Sequence, residues 1–301
     1  MQPVFDRTLL RQRRNRCASH YAQANYLFTA AGERLTDRLE DIRRHFPVGV
    51  NLGCHDGALT PQLQQRAGTE HVFQLELSPV LAQLAQANGP VAVADEEFLP
   101  IAPQSVNLVI SNLALHWVND LPGALIQIRQ ALKPDGLFLA ALLGGDTLFE
   151  LRRCLMEAEL ELCGGISPRL SPLTDIRDAG GLLQRAGFGL PAVDRDTLTV
   201  SYQNPLQLLK DLRAMGATNV SLNRPRTPLR RAVLLRTLQR YQDLFAESDG
   251  RVRATFEILF LTGWAPHESQ QQPLKPGSAQ TRLASALGAV ELSAGEKTGR
   301  S

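Results

Sequence analysis

The chain has 301 residues, of which 44% are hydrophobic and 21% charged, with Gly 23 and Pro 18 close to ordinary usage. These values exclude disordered, collagenous and coiled-coil proteins and leave a globular one with ample core. The formal net charge of +2 is too small to imply a nucleic-acid polymer as partner, and the longest apolar run, Leu137–Leu143, is far short of the roughly 18 residues of a membrane span.

The N-terminal segment is basic, with Arg7, Arg11, Arg13, Arg14 and Arg16. Residues 7–45 read as helical, because Leu35, Leu39 and Ile42 recur at i, i+4 and i+7. The arginines read most simply as a solvated helix face. A mitochondrial presequence is the other reading, but the stretch is short and contains Asp6. The four cysteines (Cys17, Cys54, Cys154, Cys163) are widely spaced with no secretory h-region, which points to a reducing compartment. A bacterial-type cytoplasmic location is therefore expected ahead of the mitochondrial matrix.

From Val48 the chain alternates apolar runs with helical segments. Val48–Leu52, Val72–Leu77, Val91–Ala94, Val106–Ser111 and Leu137–Leu143 read as strands; Ala58–Arg66, Pro79–Asn88 and Pro122–Leu132 read as the helices between them. Apolar strands alternating with helices imply a parallel sheet covered on both faces, with ligands at the carboxyl ends of the strands. Beyond strand five, Thr147 and Glu150 fit a capping box opening a helix that ends at Gly164-Gly165. Helices near Ile176–Ala186, Leu206–Met215 and Arg230–Phe245 and strands at Val193–Tyr202 and Arg253–Thr262 follow. The expected organisation is an N-terminal helical extension (1–45), a central domain (46–264) holding a helical insertion (203–250) between two late strands, and a flexible tail (265–301).

Four strand ends carry chemistry. The first, Gly53-Cys54-His55-Asp56-Gly57, has glycines that permit positive φ and backbone approach, before a helix start that offers free N–H groups to an anion. A tight connection of no further meaning has the same pattern. The second is Glu76, about 20 residues beyond the glycine turn, where an acid accepts from ribose hydroxyls. The third, Asp95-Glu96-Glu97, offers Asp95 to an exocyclic amine of adenine, with Leu77 and Leu99 against the ring. The fourth, Ser111-Asn112 through His116-Trp117, puts polar groups and an indole at the pocket rim, with His116 as a candidate proton acceptor or a packed helix residue. No GxGxxG is present, so the nicotinamide fingerprint is absent, and no His-x-Asp/Glu pair suggests a non-haem iron site.

Together these features resemble the class I S-adenosylmethionine-dependent methyltransferases, a Rossmann-like sheet with helices on both faces. The resemblance implies S-adenosylmethionine as cofactor. It implies a binding set of Gly53, Cys54, Gly57, Glu76, Leu77, Asp95, Glu96 and Asn112. Asn51 and Asn107 stand where that family usually has acids, and His55 where it has a glycine. Further segments carry a closer resemblance. They are Val4-Phe5-Asp6-Arg7, Leu113–Pro122, Gly144–Arg152, Gly263-Trp264-Ala265-Pro266-His267 and Pro276-Gly277-Ser278-Ala279. They look like the family of the respiratory complex I assembly factor that hydroxylates an arginine on an iron–sulfur subunit, with its bacterial relatives. The malonyl-carrier O-methyltransferases are cousins, sharing the His-Trp and Thr-Leu-x-Glu-Leu-Arg segments. The resemblance implies an enzyme modifying an arginine of a complex I iron–sulfur subunit by hydroxylation or methylation. Methyl transfer to a small molecule or carrier, or a non-catalytic chaperone with a degenerate pocket, are the alternatives. Helix Pro228–Phe245 is expected either to pack on the core or to act as a lid whose Arg236 and Arg240 meet a protein partner.

Overall fold

In the computed structural model, which describes residues 2–271, 281 and 283–289, the chain divides into a compact unit, Met1–His267, and a second stretch, Glu268–Ser301, in which α11 (Leu283–Leu287) is the described helix. The Pro276-Gly277-Ser278-Ala279 motif lies outside the described residues.

The first unit opens with α1 (Arg7–Cys17), α2 (Tyr21–Ala24) and α3 (Tyr26–Asp37). The helical stretch thus ends eight residues before the expected limit of 45. Asp6 caps α1 by accepting from Leu9 N at 2.9 Å. The alternating part follows as β1 (Val48–Leu52), α4 (Thr60–Arg66), β2 (His71–Glu76), α5 (Pro79–Ala85), β3 (Val91–Val93), β4 (Val106–Asn112), α6 (Leu121–Ala131) and β5 (Leu132–Leu143). Then come α7 (Phe149–Cys163), α8 (Ile176–Arg185), β6 (Gly189–Tyr202), α9 (Pro205–Ala214), α10 (Arg231–Phe245) and β7 (Val252–Trp264).

The seven strands form one sheet in the order β3-β2-β1-β4-β5-β7-β6. All pairings from β3 to β5 are parallel; β7 alone runs against its neighbours, inserted between β5 and β6. The strand order reverses between β1 and β4, so the ends of β1, β2 and β4 open onto the natural ligand crevice. Strand alternation builds a core on each face. Leu108, Ile110, Leu137, Leu139 and Ala141 point to the layer of α3, α4, α7, α9 and α10, whereas Val109, Phe138, Ala140 and Leu142 point to α6 and α8.

One expectation is overturned. Thr147 and Glu150 make no capping box: α7 begins at Phe149 after Leu148 in the left-handed conformation (φ 54°). Buried Glu150 instead accepts from Thr255 Oγ1 at 2.5 Å, and Thr147 Oγ1 donates to the Glu257 carbonyl at 3.0 Å, so both residues tie the start of α7 to β7. Helix α10 packs on the core, the first of the two roles expected for it, and its Arg236 and Arg240 are engaged within the chain. Both bond Glu161 on α7, at 2.9 and 2.8 Å, and Arg240 also bonds Glu157 at 2.5 Å, while Val233, Tyr241 and Phe245 bury the inner face of α10.

Candidate active site at the strand ends

The N-terminal strap and the loop after β4 fold against each other. Asn119 Oδ1 accepts from the backbone N–H groups of Val4 and Phe5, both at 2.7 Å, and Phe5 meets the Trp117 ring edge-on at 5.8 Å. The Phe-Asp-Arg and His-Trp motifs, more than a hundred residues apart, are thus one contact. It aims α1 across the ends of β1, β2 and β3. Leu10, Arg14 and Cys17 form the inward stripe of the helix.

This placement corrects the solvated-face reading for two arginines. Arg14 is buried, with Nη1 donating to Glu76 Oε1 at 3.0 Å and to Glu96 Oε1 at 3.1 Å. Arg7 donates through Nη2 to Asp95 at 2.6 Å and to Glu96 Oε2, and through Nη1 to the Trp117 carbonyl at 3.2 Å. The strand-two and strand-three acids are therefore not open carboxylates: they are clasped by α1. Glu76 also accepts from His55 N and Ser78 N, each at 2.9 Å. Burial opposes the charged form of Glu96, but Arg14 and Arg7 outweigh it and hold this carboxyl down at about 2. Glu76 is pushed up, by burial first and by the like charge of Glu96, against the pull of Arg14.

The glycine turn is also more self-satisfied than its pattern implies. Gly53 N and Cys54 N both donate to the Leu75 carbonyl, at 2.8 and 3.0 Å, His55 N donates to Glu76, and Gly57 N donates to the Cys54 carbonyl at 2.8 Å. No N–H of these four residues is free for an anion, and α4 starts only at Thr60. The two glycines do take positive φ, 66° at Gly53 and 78° at Gly57. A Cβ at Gly53 would lie 2.3 Å from Ala114 Cβ and 3.1 Å from Glu96 Oε1. Gly53→Ala is expected to lower stability by at least ~2 kcal/mol, combining left-handed strain with overpacking. Urea titration checks this; a loss under ~0.5 kcal/mol, typical of neutral surface changes, would show that the turn accepts a side chain.

His55 lies in the left-handed region (φ 53°) with its ring stacked on Tyr21 at 5.7 Å and edge-on to Phe28 at 4.6 Å. Its Nε2 lies 3.2 Å from the Asn112 carbonyl, while Asn112 Nδ2 donates to the Phe28 carbonyl at 2.8 Å. Leu77 packs with Leu10, Phe5, Trp117 and Val220 beneath the strap. His116 is buried against Trp117. Burial, Arg14 and His55 push its imidazole down to about 3, so it stays neutral and holds a proton weakly. Among the described residues no three His, Cys, Asp or Glu side chains converge as a metal-ligand set.

Around the glycine turn lies a cavity of about 60 Å³ lined by Tyr21, Asn51, Gly53, Asp56 and Asn112 among others. At and beside it, buried polar atoms have no partner: Asn51 Oδ1, Asn112 Oδ1, Tyr21 OH and Arg14 Nη2. Two are acceptors, one is a donor, and the phenol can act as either. Such orphans are expensive in a closed core and ordinary where a polar ligand completes them.

Residues 50–140 match the family model described as a methyltransferase domain. Among solved structures the fold is shared with the YcgJ protein of Bacillus subtilis (TM-score 0.55, 11% identity, covering 79% of this chain and 99% of that one). It is shared equally with a Bacillus halodurans protein described as a putative methyltransferase (TM-score 0.55, 13% identity, 79% and 100%). This is an enzyme of the S-adenosylmethionine-dependent methyltransferase fold, and its cofactor is S-adenosylmethionine. The similarity extends beyond the domain. The chain is 40% identical to the mitochondrial arginine-hydroxylase NDUFAF5 of Danio rerio over 93% of its own length and 88% of that protein, and 42% identical to that of Homo sapiens over 92% and 81%. It is 32% identical to the malonyl-[acyl-carrier protein] O-methyltransferase of Halorhodospira halophila over 86% and 88%. The chain belongs to the family of the NDUFAF5 arginine-hydroxylases and is also related to the malonyl-[acyl-carrier protein] O-methyltransferases.

The cofactor can be tested against the residues present. The orphaned atoms suit its amino-acid end: Asn51 Oδ1 and Asn112 Oδ1 an ammonium, Arg14 Nη2 and Tyr21 OH a carboxylate. The chemistry fits, and the space is closed. Sites for small molecules ordinarily offer roughly 300–1,000 Å³, so a cavity of about 60 Å³, with the His55 ring in its wall, is too small for the whole cofactor as it stands. Sequence reasoning named the glycines, Glu76, Asp95, Glu96 and Asn112. It missed Arg7, Arg14 and Tyr21, whose signal was the spacing of Arg7 and Arg14 on one helical face with Leu10 and Cys17.

Proposed function

We propose that this enzyme modifies an arginine side chain of a protein acceptor, in keeping with the resemblance to the complex I assembly family. The observation carrying this reading is 40–42% identity, over 92–93% of the chain, to proteins that act as arginine-hydroxylases. At that coverage the match takes in the late strands as well as the shared domain. The malonyl-carrier relatives match at 31–32% over 86–88% of the chain.

In this reading Asn51, Asn112, Tyr21 and Arg14 hold the amino-acid end of the cofactor, Glu76 its ribose and Asp95 its adenine. When bound, the cofactor supplies an electrophilic sulfonium. The protein's own part is positioning: α1 closes over the strand ends and excludes water, and the neutral His55 and His116 add no cationic charge beside the sulfonium. The apolar cavity lined by Leu27, Trp117, Leu143, Leu148, Leu173 and Phe256 adjoins this region and suits the stem of an acceptor side chain.

Mass spectrometry of a complex I iron–sulfur subunit, from cells with and without this protein, tests the reading. One added oxygen or one added methyl group on an arginine, dependent on the protein, is the expected result. An unmodified subunit together with methyl transfer to a malonyl carrier would replace the reading by the second one.

A further inference from the structure

The outer side of α1 faces a second cavity, of about 810 Å³, distinct from the strand-end site. Its lining brings together Arg13, Arg16, Arg169, Lys210, Arg213 and Arg224, with no Asp or Glu among the lining residues. These side chains come from α1, from α9, and from the segments around 169 and 224, so the tertiary fold, not a basic run, gathers them. Arg169 and Arg224 have carboxylate partners, Glu159 at 2.8 Å and Asp6 at 3.3 Å. Arg16, Lys210 and Arg213 are exposed and have no carboxylate within salt-bridge distance among the described residues. Arg13 Nη1 donates to the Asn219 carbonyl at 2.6 Å, and its guanidinium is pushed down by burial and by its neighbours Arg224 and Arg16. A chain whose whole charge is +2 thus concentrates, in one concavity, an excess of positive charge that the two ion pairs offset only in part.

The lining contains no Phe, Tyr or Trp; His20 is its one ring, and its other uncharged members are mostly small or polar. Asn219 lines both this cavity and the apolar one under Trp117, so a ligand held here lies beside the place where an acceptor side chain enters. Guanidinium forks spread over such a volume match several separated carboxylates better than one compact anion.

We infer that this cavity docks an acidic peptide segment of the acceptor protein, presenting the residue to be modified to the neighbouring apolar pocket. The inference rests on the acceptor being a protein. Electrostatic docking of this kind accelerates encounter and fixes register, and it weakens with salt.

The experiment uses the full chain and a fluorescein-labelled octaglutamate peptide, read by anisotropy at low and at physiological salt. Binding at low salt, weakened at least tenfold at physiological salt and at least tenfold by the triple variant Arg16→Glu/Lys210→Glu/Arg213→Glu, is expected. The variant Arg43→Glu/Arg177→Glu/Arg185→Glu changes the same charge at exposed positions outside the cavity and should bind almost as the parent does. Equal losses in both triples would overturn the assignment, as would no binding by the parent. Tripolyphosphate binding without peptide binding would make it a phosphate site and overturn it too. Adenosylmethionine calorimetry on the triple variant reports the fold: unchanged heat with lost peptide binding supports a separate docking site. Peptide binding without any modified arginine in the iron–sulfur subunit would leave the cavity standing and sink the proposed reaction alone.

Discussion

Glu76→Gln is expected to destabilise the protein by about 3–5 kcal/mol, the range for removing one member of a buried ion pair. Glu76 is fully buried and takes Arg14 Nη1, His55 N and Ser78 N on its two oxygens. A glutamine keeps the shape, but offers one oxygen for those three donors and turns an NH₂ towards one of them. Arg14 is left with Glu96 alone, while Glu96 already shares Arg7. The same change removes the acceptor proposed for the ribose, so cofactor affinity should fall tenfold or more, a charged hydrogen bond being worth roughly 1.5–3 kcal/mol. Urea denaturation measures the first effect and calorimetry the second. A cycle with Arg14→Met keeps the result interpretable. If the pair acts as a unit, the double variant loses at least ~1 kcal/mol less than the sum of the singles. Additive losses would mean that Arg14 and Glu76 are merely neighbours.

That clasp shows where sequence reading stops. The strands were legible because burial on both faces makes them apolar runs, and Val48–Leu52 was bounded as observed. The glycine turn was legible because positive φ at Gly53 and Gly57 selects glycine. Glu76 was legible by its distance from that turn. What was not legible is long-range. Arg14 meets partners 62 and 82 residues away; its helical spacing with Leu10 and Cys17 sets it apart from exposed Arg11 but names no partner for it. The capping pattern at Thr147 failed for the same reason: β7, 110 residues on, competes for the threonine hydroxyl, and Glu150 is drawn to Thr255. A local motif holds only while no tertiary partner offers a better bond. The antiparallel course of β7 was likewise hidden, because a strand buried on both faces reads the same in either direction.

Acidification should destabilise this protein progressively between pH 6.5 and pH 4.5. Burial, together with Arg14, lowers both His55 and His116 to about 3, whereas both take up protons near 6.5 when unfolded. Below 6.5 the unfolded chain therefore binds up to two more protons than the folded one, and stability falls with pH by up to about 2.7 kcal/mol per unit. The contribution is full above 6.5 and is lost progressively down to about 3. Glu96, held at about 2, acts in the same sense but only below its ordinary range, so it does not touch the upper window. Glu76, pushed up, acts oppositely by favouring protonation of the fold in acid. The groups that bear most directly on His55 are Arg14, which disfavours its protonation, and Asp56 and Glu96, which favour it. Denaturation midpoints at several pH values between 4.5 and 7 give the slope. His55→Asn, a residue that tolerates the left-handed backbone, and His116→Gln should each remove about half of it. A parent stability flat over this window, or a slope that neither variant changes, would show that the imidazoles reach water and that the closed strand-end site opens readily in solution.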